Sequence, residues 1–267
     1  MSPSRALGQN FVGDVGTVRR IARLAGVGPG DHVVEIGAGL GSLTLALAET
    51  GASVTAVEVD RYVVPVLREV LAERAPEVRL LEGDATTLEW AAELDPAQRW
   101  ALVANLPYNV ATPLVLDVLD RVPLVHRLLV LVQREAGERL AAAPGDPAYG
   151  IPSVKVRWHG SASIAGKVAA SVFVPRPNVE SVLVRIERGT PPDADADAVF
   201  RLVRQAFGQR RKMLRRSLAG LVDFDAAGVP ETARPEELDV EEWVRLSREL
   251  ASPVRSGEGE PEQRQEG

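Results

Sequence analysis

The chain has 267 residues and 45% of them are hydrophobic, enough for one large domain or for one large and one small domain. It has no cysteine, which excludes disulfides and thiolate metal sites, and its three histidines are too scattered to motivate a metal site. No apolar run reaches transmembrane length and the first residues lack a signal-peptide core, so a soluble cytoplasmic protein is expected. The net charge of −6 argues mildly against a nucleic-acid partner, although RNA would meet only one face.

Strands and helices alternate through the first half of the chain. Apolar runs and helical periodicity predict strands at 32–37, 53–58, 78–82, 100–104 and 126–132, and helices at 13–26, 42–50, 61–74, 111–120 and 134–142. Alternation at this spacing predicts an α/β fold with a parallel, doubly wound sheet. Two more strands are predicted near 153–159 and 179–187.

A segment rich in Gly and Pro, residues 189–193, is typical of a domain linker. The pattern beyond it is helical, which predicts a small all-helical domain at 193–250 after a first domain at 1–188. Residues 252–267 are rich in Gly, Glu, Pro and Gln, and we expect this tail to be disordered.

Three successive predicted strands end in residues suited to ligand binding. The first runs into Gly37 and Gly39 in the spacing G-x-G-x-G, which differs from the dinucleotide fingerprint G-x-G-x-x-G. Glu58 ends the next strand, 21 residues after Gly37, where an acidic side chain can accept hydrogen bonds from ribose hydroxyls. Asp84, followed by Ala85, comes after the third strand.

The fourth strand leads into Asn105-Leu106-Pro107-Tyr108. Pro107 ends both strand and helix, which leaves an amide and an aromatic ring on a rigid loop at the carboxyl end of a strand. Open α/β sheets bind ligands at this edge. An amide acceptor beside a ring that can stack suits the capture of a flat base.

The ordered set of motifs resembles class I S-adenosylmethionine methyltransferases that modify exocyclic amines, and more closely the KsgA/RsmA ribosomal RNA adenine dimethyltransferases. Three further segments carry the resemblance: 7–12 is similar to the family's N-terminal cofactor lid, 173–181 to its late target-base motif, and 209–216 to its C-terminal basic helix. The resemblance covers roughly residues 5–250. Two departures are Val12, where Leu is usual, and Met213, where a small polar residue is expected.

The resemblance implies a Rossmann-like methyltransferase sheet, S-adenosylmethionine as cofactor, and dimethylation of two adjacent adenosines near the 3′ end of small-subunit ribosomal RNA, with a role in ribosome biogenesis. The expected catalytic residues are Asn105, Leu106, Pro107, Tyr108 and Phe173. The expected cofactor-binding residues are Gln9, Asn10, Val12, Glu35, Gly37, Gly39, Glu58, Asp84, Ala85 and Asn105. Expected partners are the precursor of the 30S subunit and its RNA, with no membrane, no metal and a monomeric protein.

The segment from Arg201 to Arg216 holds seven cations and no acidic residue, so no ion pair at i,i+4 spacing can form within it. This favours phosphate contact over a solvated helical face. The residues expected to bind RNA are Arg210, Arg211, Lys212, Arg215 and Arg216.

Each assignment has a simpler alternative. Phe173 can be a core aromatic residue, Gln9 and Asn10 can be polar loop residues, and Glu35 can brace the glycine turn through backbone N–H groups. At the level of function, the alternatives are an Erm-type methylase of large-subunit RNA that confers antibiotic resistance, and a ribosome-assembly factor whose main task is RNA binding.

Overall fold

The computed structural model describes residues 11–250. Gln9, Asn10 and the expected tail at 252–267 therefore lie outside the described residues. The chain divides into two compact units, one ending at Pro192 and the other beginning at Asp193.

The first unit alternates strands and helices. Its strands are β1 (Phe11–Val12), β2 (His32–Ile36), β3 (Ser53–Glu58), β4 (Arg79–Glu82), β5 (Trp100–Asn105), β6 (Val125–Gln133), β7 (Gly160–Val168), β8 (Phe173–Val174) and β9 (Ser181–Arg188). Its helices are α1 (Val15–Ala25), α2 (Ser42–Ala48), α3 (Val64–Arg74), α4 (Trp90–Glu93), α5 (Ala111–Arg121), α6 (Arg134–Ala141) and α7 (Ile151–His159).

Seven strands form one mixed sheet in the order β4-β3-β2-β5-β6-β9-β7. The first five are parallel, and β9 runs antiparallel to both β6 and β7. Val33 and Val34, neighbours on β2, belong to two different hydrophobic clusters, because successive strand residues face opposite sides of a sheet. Both faces of the sheet are thus covered, as the prediction of a doubly wound α/β fold requires.

One predicted strand is wrong. Residues 153–159 form most of α7 instead of a strand, and the edge strand β7 follows at Gly160–Val168. The alternation of Val154, Val156 and Trp158 suggested a strand, but all three are buried in a helix that packs between α5 and α6. Pro152 occupies the first turn of α7, where a missing N–H costs nothing.

The second unit contains α8 (Ala196–Phe207), α9 (Leu214–Ser217), α10 (Phe224–Ala227) and α11 (Val240–Arg248). The buried Trp243 of α11 packs against Phe207 of α8, with ring centroids 6.3 Å apart.

The expected basic helix at 209–216 is not continuous. Helix α8 ends at Phe207, a turn follows, and the four-residue α9 begins only at Leu214. Gly208 terminates α8, and Met213 has the extended backbone of an N-cap residue. Arg211 and Arg215 therefore do not share one helical face.

Candidate active site

The carboxyl ends of β2, β3, β4 and β5 surround a cavity of about 390 Å³, within the usual size range of small-molecule sites. Eight residues expected from the sequence to act on cofactor or substrate line it: Gly37, Gly39, Glu58, Asp84, Ala85, Asn105, Leu106 and Pro107. The sequence separates these residues by up to 70 positions, and the parallel sheet brings them to one edge.

The glycine turn after β2 is tightly packed. Gly37 and Gly39 have φ angles of +77° and +57°, which side-chain-bearing residues rarely adopt. A Cβ at Gly39 would lie 2.7 Å from Cε1 of Phe11, so glycine lets this ring close over the turn. The turn thus supplies both an unusual backbone path and a close contact with β1.

Glu58, at the end of β3, is buried and braces the glycine turn. Its Oε2 accepts a hydrogen bond of 2.7 Å from the Gly39 N–H, and its Oε1 accepts from the N–H groups of Val59 and Asp60, each at 2.9 Å. A carboxylate has about four acceptor positions, so three are used within the described residues. One position on Oε2 remains for a ligand donor, fewer than the pair of ribose hydroxyls that the sequence suggested.

Glu35, near the end of β2, has a different environment. It is 1% exposed, and its Oε2 has no hydrogen-bond partner among the described residues. Burial raises the pKa of Glu35 to about 8; the Thr44 hydroxyl opposes this rise and the charge of Glu58 adds to it. Glu35 does not brace the glycine turn through N–H groups. Together with Val12 and Asn105, it lines a smaller cavity beside the main one.

Asp84 follows β4 and organises its own loop. Its Oδ1 accepts from the backbone N–H and the hydroxyl of Thr86, at 2.9 and 2.8 Å. This turn fixes the carboxylate at the exposed rim of the cavity. Ala85 beside it is buried in the wall.

The loop after β5 is held by the sheet beneath it. Asn105 pairs with Leu131 of β6, and the Leu106 N–H donates to the Leu131 carbonyl at 3.2 Å. The Pro107 carbonyl accepts from the Val110 N–H at 3.1 Å and closes a turn. The half-buried Asn105 side chain lies where the main and the smaller cavity adjoin.

Tyr108 does not line the main cavity but stands next to it on the same turn. Its hydroxyl lies 2.7 Å from Oγ of Ser181, the first residue of β9. Partial burial raises the pKa of the Tyr108 phenol, and the bond to Ser181 opposes this rise.

Phe173 is 2% exposed and belongs to the hydrophobic cluster that also contains Val12 and Val18. It pairs with Val12 in the small antiparallel sheet of β1 and β8. This placement agrees with the alternative that Phe173 is a core residue, and its contact with a target base stays a prediction.

The cavity also contains residues that the sequence did not single out. Among them are Phe11, Val59, Thr86, Asn109 and Val110. Phe11 belongs to the segment 7–12, and Val59 and Asn109 directly follow predicted site residues. Adjacency in the sequence to those residues could therefore have indicated that they line the cavity. Val59 and Val110 are exposed apolar side chains, which is consistent with walls for a flat ligand.

The five basic residues expected to bind RNA divide into two groups. Arg215 pairs with Glu231 at 3.2 Å, and Arg210 lies 4.0 Å from Glu236, so acidic partners absent from the local sequence come from elsewhere in the unit. In the part of the chain that the structure describes, Arg211, Lys212 and Arg216 are exposed and form no ion pair.

Among residues 11–250 no cluster of acidic, histidine or cysteine side chains could hold a metal ion. None of the helices in the same range is long and apolar enough to cross a membrane.

Comparison with known proteins identifies the family of the chain. A family model described as ribosomal RNA adenine dimethylase matches residues 3–252. The ribosomal RNA small subunit methyltransferase A of Bifidobacterium adolescentis is 46% identical over 94% of this chain and 89% of its own. A dimethyladenosine transferase structure from Plasmodium falciparum has a TM-score of 0.73 at 22% identity, covering 88% of this chain and 95% of its own. The structure of 23S rRNA methyltransferase ErmE has a TM-score of 0.71 at 26% identity, covering 90% and 99%. These structures confirm the Rossmann-like fold, and the chain belongs to the ribosomal RNA adenine dimethylase family.

Proposed function

We propose that this protein uses S-adenosylmethionine to dimethylate the exocyclic N6 amines of two adjacent adenosines near the 3′ end of small-subunit ribosomal RNA, on a precursor of the small subunit. The observation that carries the proposal is the cavity that Glu58 and Asp84 line together with the Asn105–Pro107 loop. A cofactor and a base amine can meet there, and the family membership supplies the class of substrate.

The residues of the cavity fit the cofactor. Glu58 has one acceptor position left on Oε2 for a ribose hydroxyl, and Asp84 at the rim can accept from an adenine amine. Val59 and Val110 offer apolar walls to the purine, and the glycine turn admits a close backbone approach. When bound, the cofactor supplies an electrophilic methyl group on sulfur.

Glu35 and Val12 line the smaller cavity, which adjoins the main one and has room for the amine of the cofactor's methionine end. A buried carboxyl oxygen without a hydrogen-bond partner destabilises the folded protein unless a hydrogen-bond donor reaches it. The ammonium group of the methionine end is such a donor. Gln9 and Asn10, which precede β1 in sequence, keep their proposed place in a lid over the cofactor.

The base side of the site needs two hydrogen-bond acceptors. The lone pair of an adenine amine is delocalised into the ring, and acceptors on both amine hydrogens would draw the nitrogen toward tetrahedral geometry. We assign these roles to Oδ1 of Asn105 and the carbonyl of Leu106, because the sheet fixes the backbone of both residues. A neutral amide accepts without the desolvation cost of a buried carboxylate. The proton can leave after transfer, when the amine is cationic and acidic.

Positioning accounts for much of the catalysis in this scheme. Pro107 shapes the turn and Tyr108 stacks on the base. Phe173 covers the other face only if its ring leaves the cluster that it forms with Val12 and Val18. Stacking contributes about 1–3 kcal/mol per base, and orientation can supply effective molarities on the order of 10⁵ to 10⁸ M.

We assign RNA binding to the second unit and catalysis to the first. The exposed Arg211, Lys212 and Arg216 contact phosphates and position the RNA without reading its sequence. Arg210 and Arg215 contribute less, because acidic neighbours already offset part of their charge.

The direct test is methylation of purified ribosomal subunits from cells that lack this protein, with labelled cofactor and mass mapping of the RNA. The proposal expects two adjacent dimethyladenosines in small-subunit RNA and no label in large subunits. Label confined to large-subunit RNA would refute it and favour an Erm-type methylase, an alternative kept open by the fold match to ErmE.

An assembly factor whose main task is RNA binding is the remaining alternative. It predicts that an Asn105→Ala variant restores subunit maturation as well as the wild type does in cells lacking the protein. The enzyme proposal predicts that this variant leaves the RNA unmethylated.

A further inference from the structure

One hydrogen bond joins two segments that the sequence singled out separately. The hydroxyl of Tyr108, in the loop after β5, lies 2.7 Å from Oγ of Ser181, the last residue of the segment 173–181. Ser181 is 0% exposed and is paired with Gln133 of β6 on one side and Val168 of β7 on the other. The sheet therefore fixes the backbone that carries the serine hydroxyl.

The backbone of the loop is also fixed, which leaves the tyrosine ring as its mobile part. The Leu106 N–H donates a hydrogen bond to Leu131 of β6, and the Val110 N–H donates to the Pro107 carbonyl and closes the turn. The Tyr108 ring is only half buried and turns about two side-chain torsions. The hydroxyl oxygen lies on the axis of the second torsion, so a hydrogen bond from it to the sheet fixes the first torsion, which sets the direction of the ring axis. Ser181 thus fixes where the ring lies before any base arrives.

We propose that Ser181 is a positioning residue for methyl transfer, which acts by holding the Tyr108 ring in the orientation that meets the target base. The inference rests on the proposed function and deepens it. Ser181 touches neither base nor cofactor in this scheme. Preorganisation of this kind lowers the cost of ordering the ring when substrate binds.

The test is a double-mutant cycle of Tyr108→Phe and Ser181→Ala, measured as the single-turnover rate of methyl transfer to small subunits. Each variant removes the same bond from a different end, so each should lower the rate about 3- to 10-fold, and the double variant should be no slower than the slower single variant. Affinity for the demethylated cofactor should not change. Additive losses, or a wild-type rate in Ser181→Ala, would overturn the proposal.

A matched control distinguishes the proposed positioning role of Ser181 from a role in the stability of the sheet alone. Val184 is also 0% exposed on β9, and Val184→Ala should lower the melting temperature while leaving the rate per folded molecule unchanged. Tyr108→Phe leaves the sheet intact, so the cycle stays informative if Ser181→Ala folds poorly.

A readout without turnover separates this inference from the proposed function. Wild-type protein that methylates neither subunit would refute the function alone. NMR of ring-labelled tyrosine then decides the inference: larger motion of the Tyr108 ring about its first side-chain torsion is expected in Ser181→Ala and not in Val184→Ala. An unchanged ring signal would show that Ser181 does not hold the ring.

Discussion

The polar groups of the first unit are held by the backbone of buried strands, whereas the basic groups of the second unit stand on an exposed turn. Glu58 accepts three backbone N–H bonds, and Asn105 belongs to a central strand. Arg211 and Lys212, in contrast, lie between two helices with their side chains in solvent. A fixed group can act on one atom of a ligand, whereas a cation on an exposed side chain can act on the overall charge of an RNA.

This difference predicts different effects for substitutions in the two units. Changes at the cavity should alter turnover or cofactor affinity and leave the salt dependence of RNA binding intact. Changes at the turn should alter the salt dependence and leave cofactor affinity intact. An effect that crosses from one class to the other would break the comparison.

The largest effect is expected for Asn105→Ala. Loss of an acceptor that acts most strongly as the amine nitrogen becomes tetrahedral should lower kcat roughly 10²- to 10³-fold, with little change in KM. Single-turnover rates on small subunits measure it. The matched control is Asn109→Ala, since Asn109 is an exposed amide that lines the same cavity. Equal losses in both variants would remove Asn105 from its proposed role.

Substitution of Glu58 should act on the cofactor. Glu58→Ala removes the ligand's acceptor and also frees three backbone N–H groups, so affinity for the demethylated cofactor should fall roughly 10²-fold. Glu58→Gln keeps an oxygen and should lose less. Calorimetry measures both variants, with Glu82→Ala as the control, because Glu82 ends the neighbouring β4 at the surface in an ion pair with Arg68. Unchanged affinity in Glu58→Ala would contradict the cofactor assignment.

The same contrast explains how much of the molecule the sequence could predict. The strand end at Glu58 was predicted correctly and the one at Asn105 to within one residue, because the apolar run of each buried strand stops there and Pro107 follows the second. The run 153–159 failed because a helix buried on several sides loses its amphipathic pattern. The partners of Arg210 and Arg215 were invisible because Glu236 and Glu231 lie 26 and 16 residues away along the chain. The Tyr108–Ser181 bond spans 73 residues, and no local pattern encodes it.

Glu35 should make the stability of the folded protein depend on pH. Burial raises its pKa in the folded protein to about 8, above its value of 4.5 in the unfolded chain. Between these values the folded state holds a proton that the unfolded state has lost, so stability falls as pH rises. Glutamine does not ionise, so Glu35→Gln removes this fall in stability with rising pH. The variant should therefore be more stable than the wild type by roughly 1–3 kcal/mol at pH 8, with the difference vanishing near pH 4.

Denaturant unfolding across this pH range measures the effect, and Thr44→Val is a useful companion, since it removes the hydroxyl that opposes the rise in the pKa of Glu35. A Glu35→Gln variant that is less stable than the wild type at pH 8 would mean that the carboxylate is ionised and paired.

The smallest effect is expected at the exposed basic residues of the second unit, Arg211 and Lys212 on the turn and Arg216 on α9. Replacing Arg211 and Arg216 with Gln should weaken RNA binding and reduce the slope of log affinity against log salt by roughly 0.7–0.9 for each lost phosphate contact. Titration of RNA binding with salt measures the slope. Replacing Arg210 and Arg215 instead removes the same formal charge from side chains that have acidic neighbours, so the slope should change less. Equal slopes for the two double variants would show that net charge alone, and not the exposed basic residues, attracts the RNA.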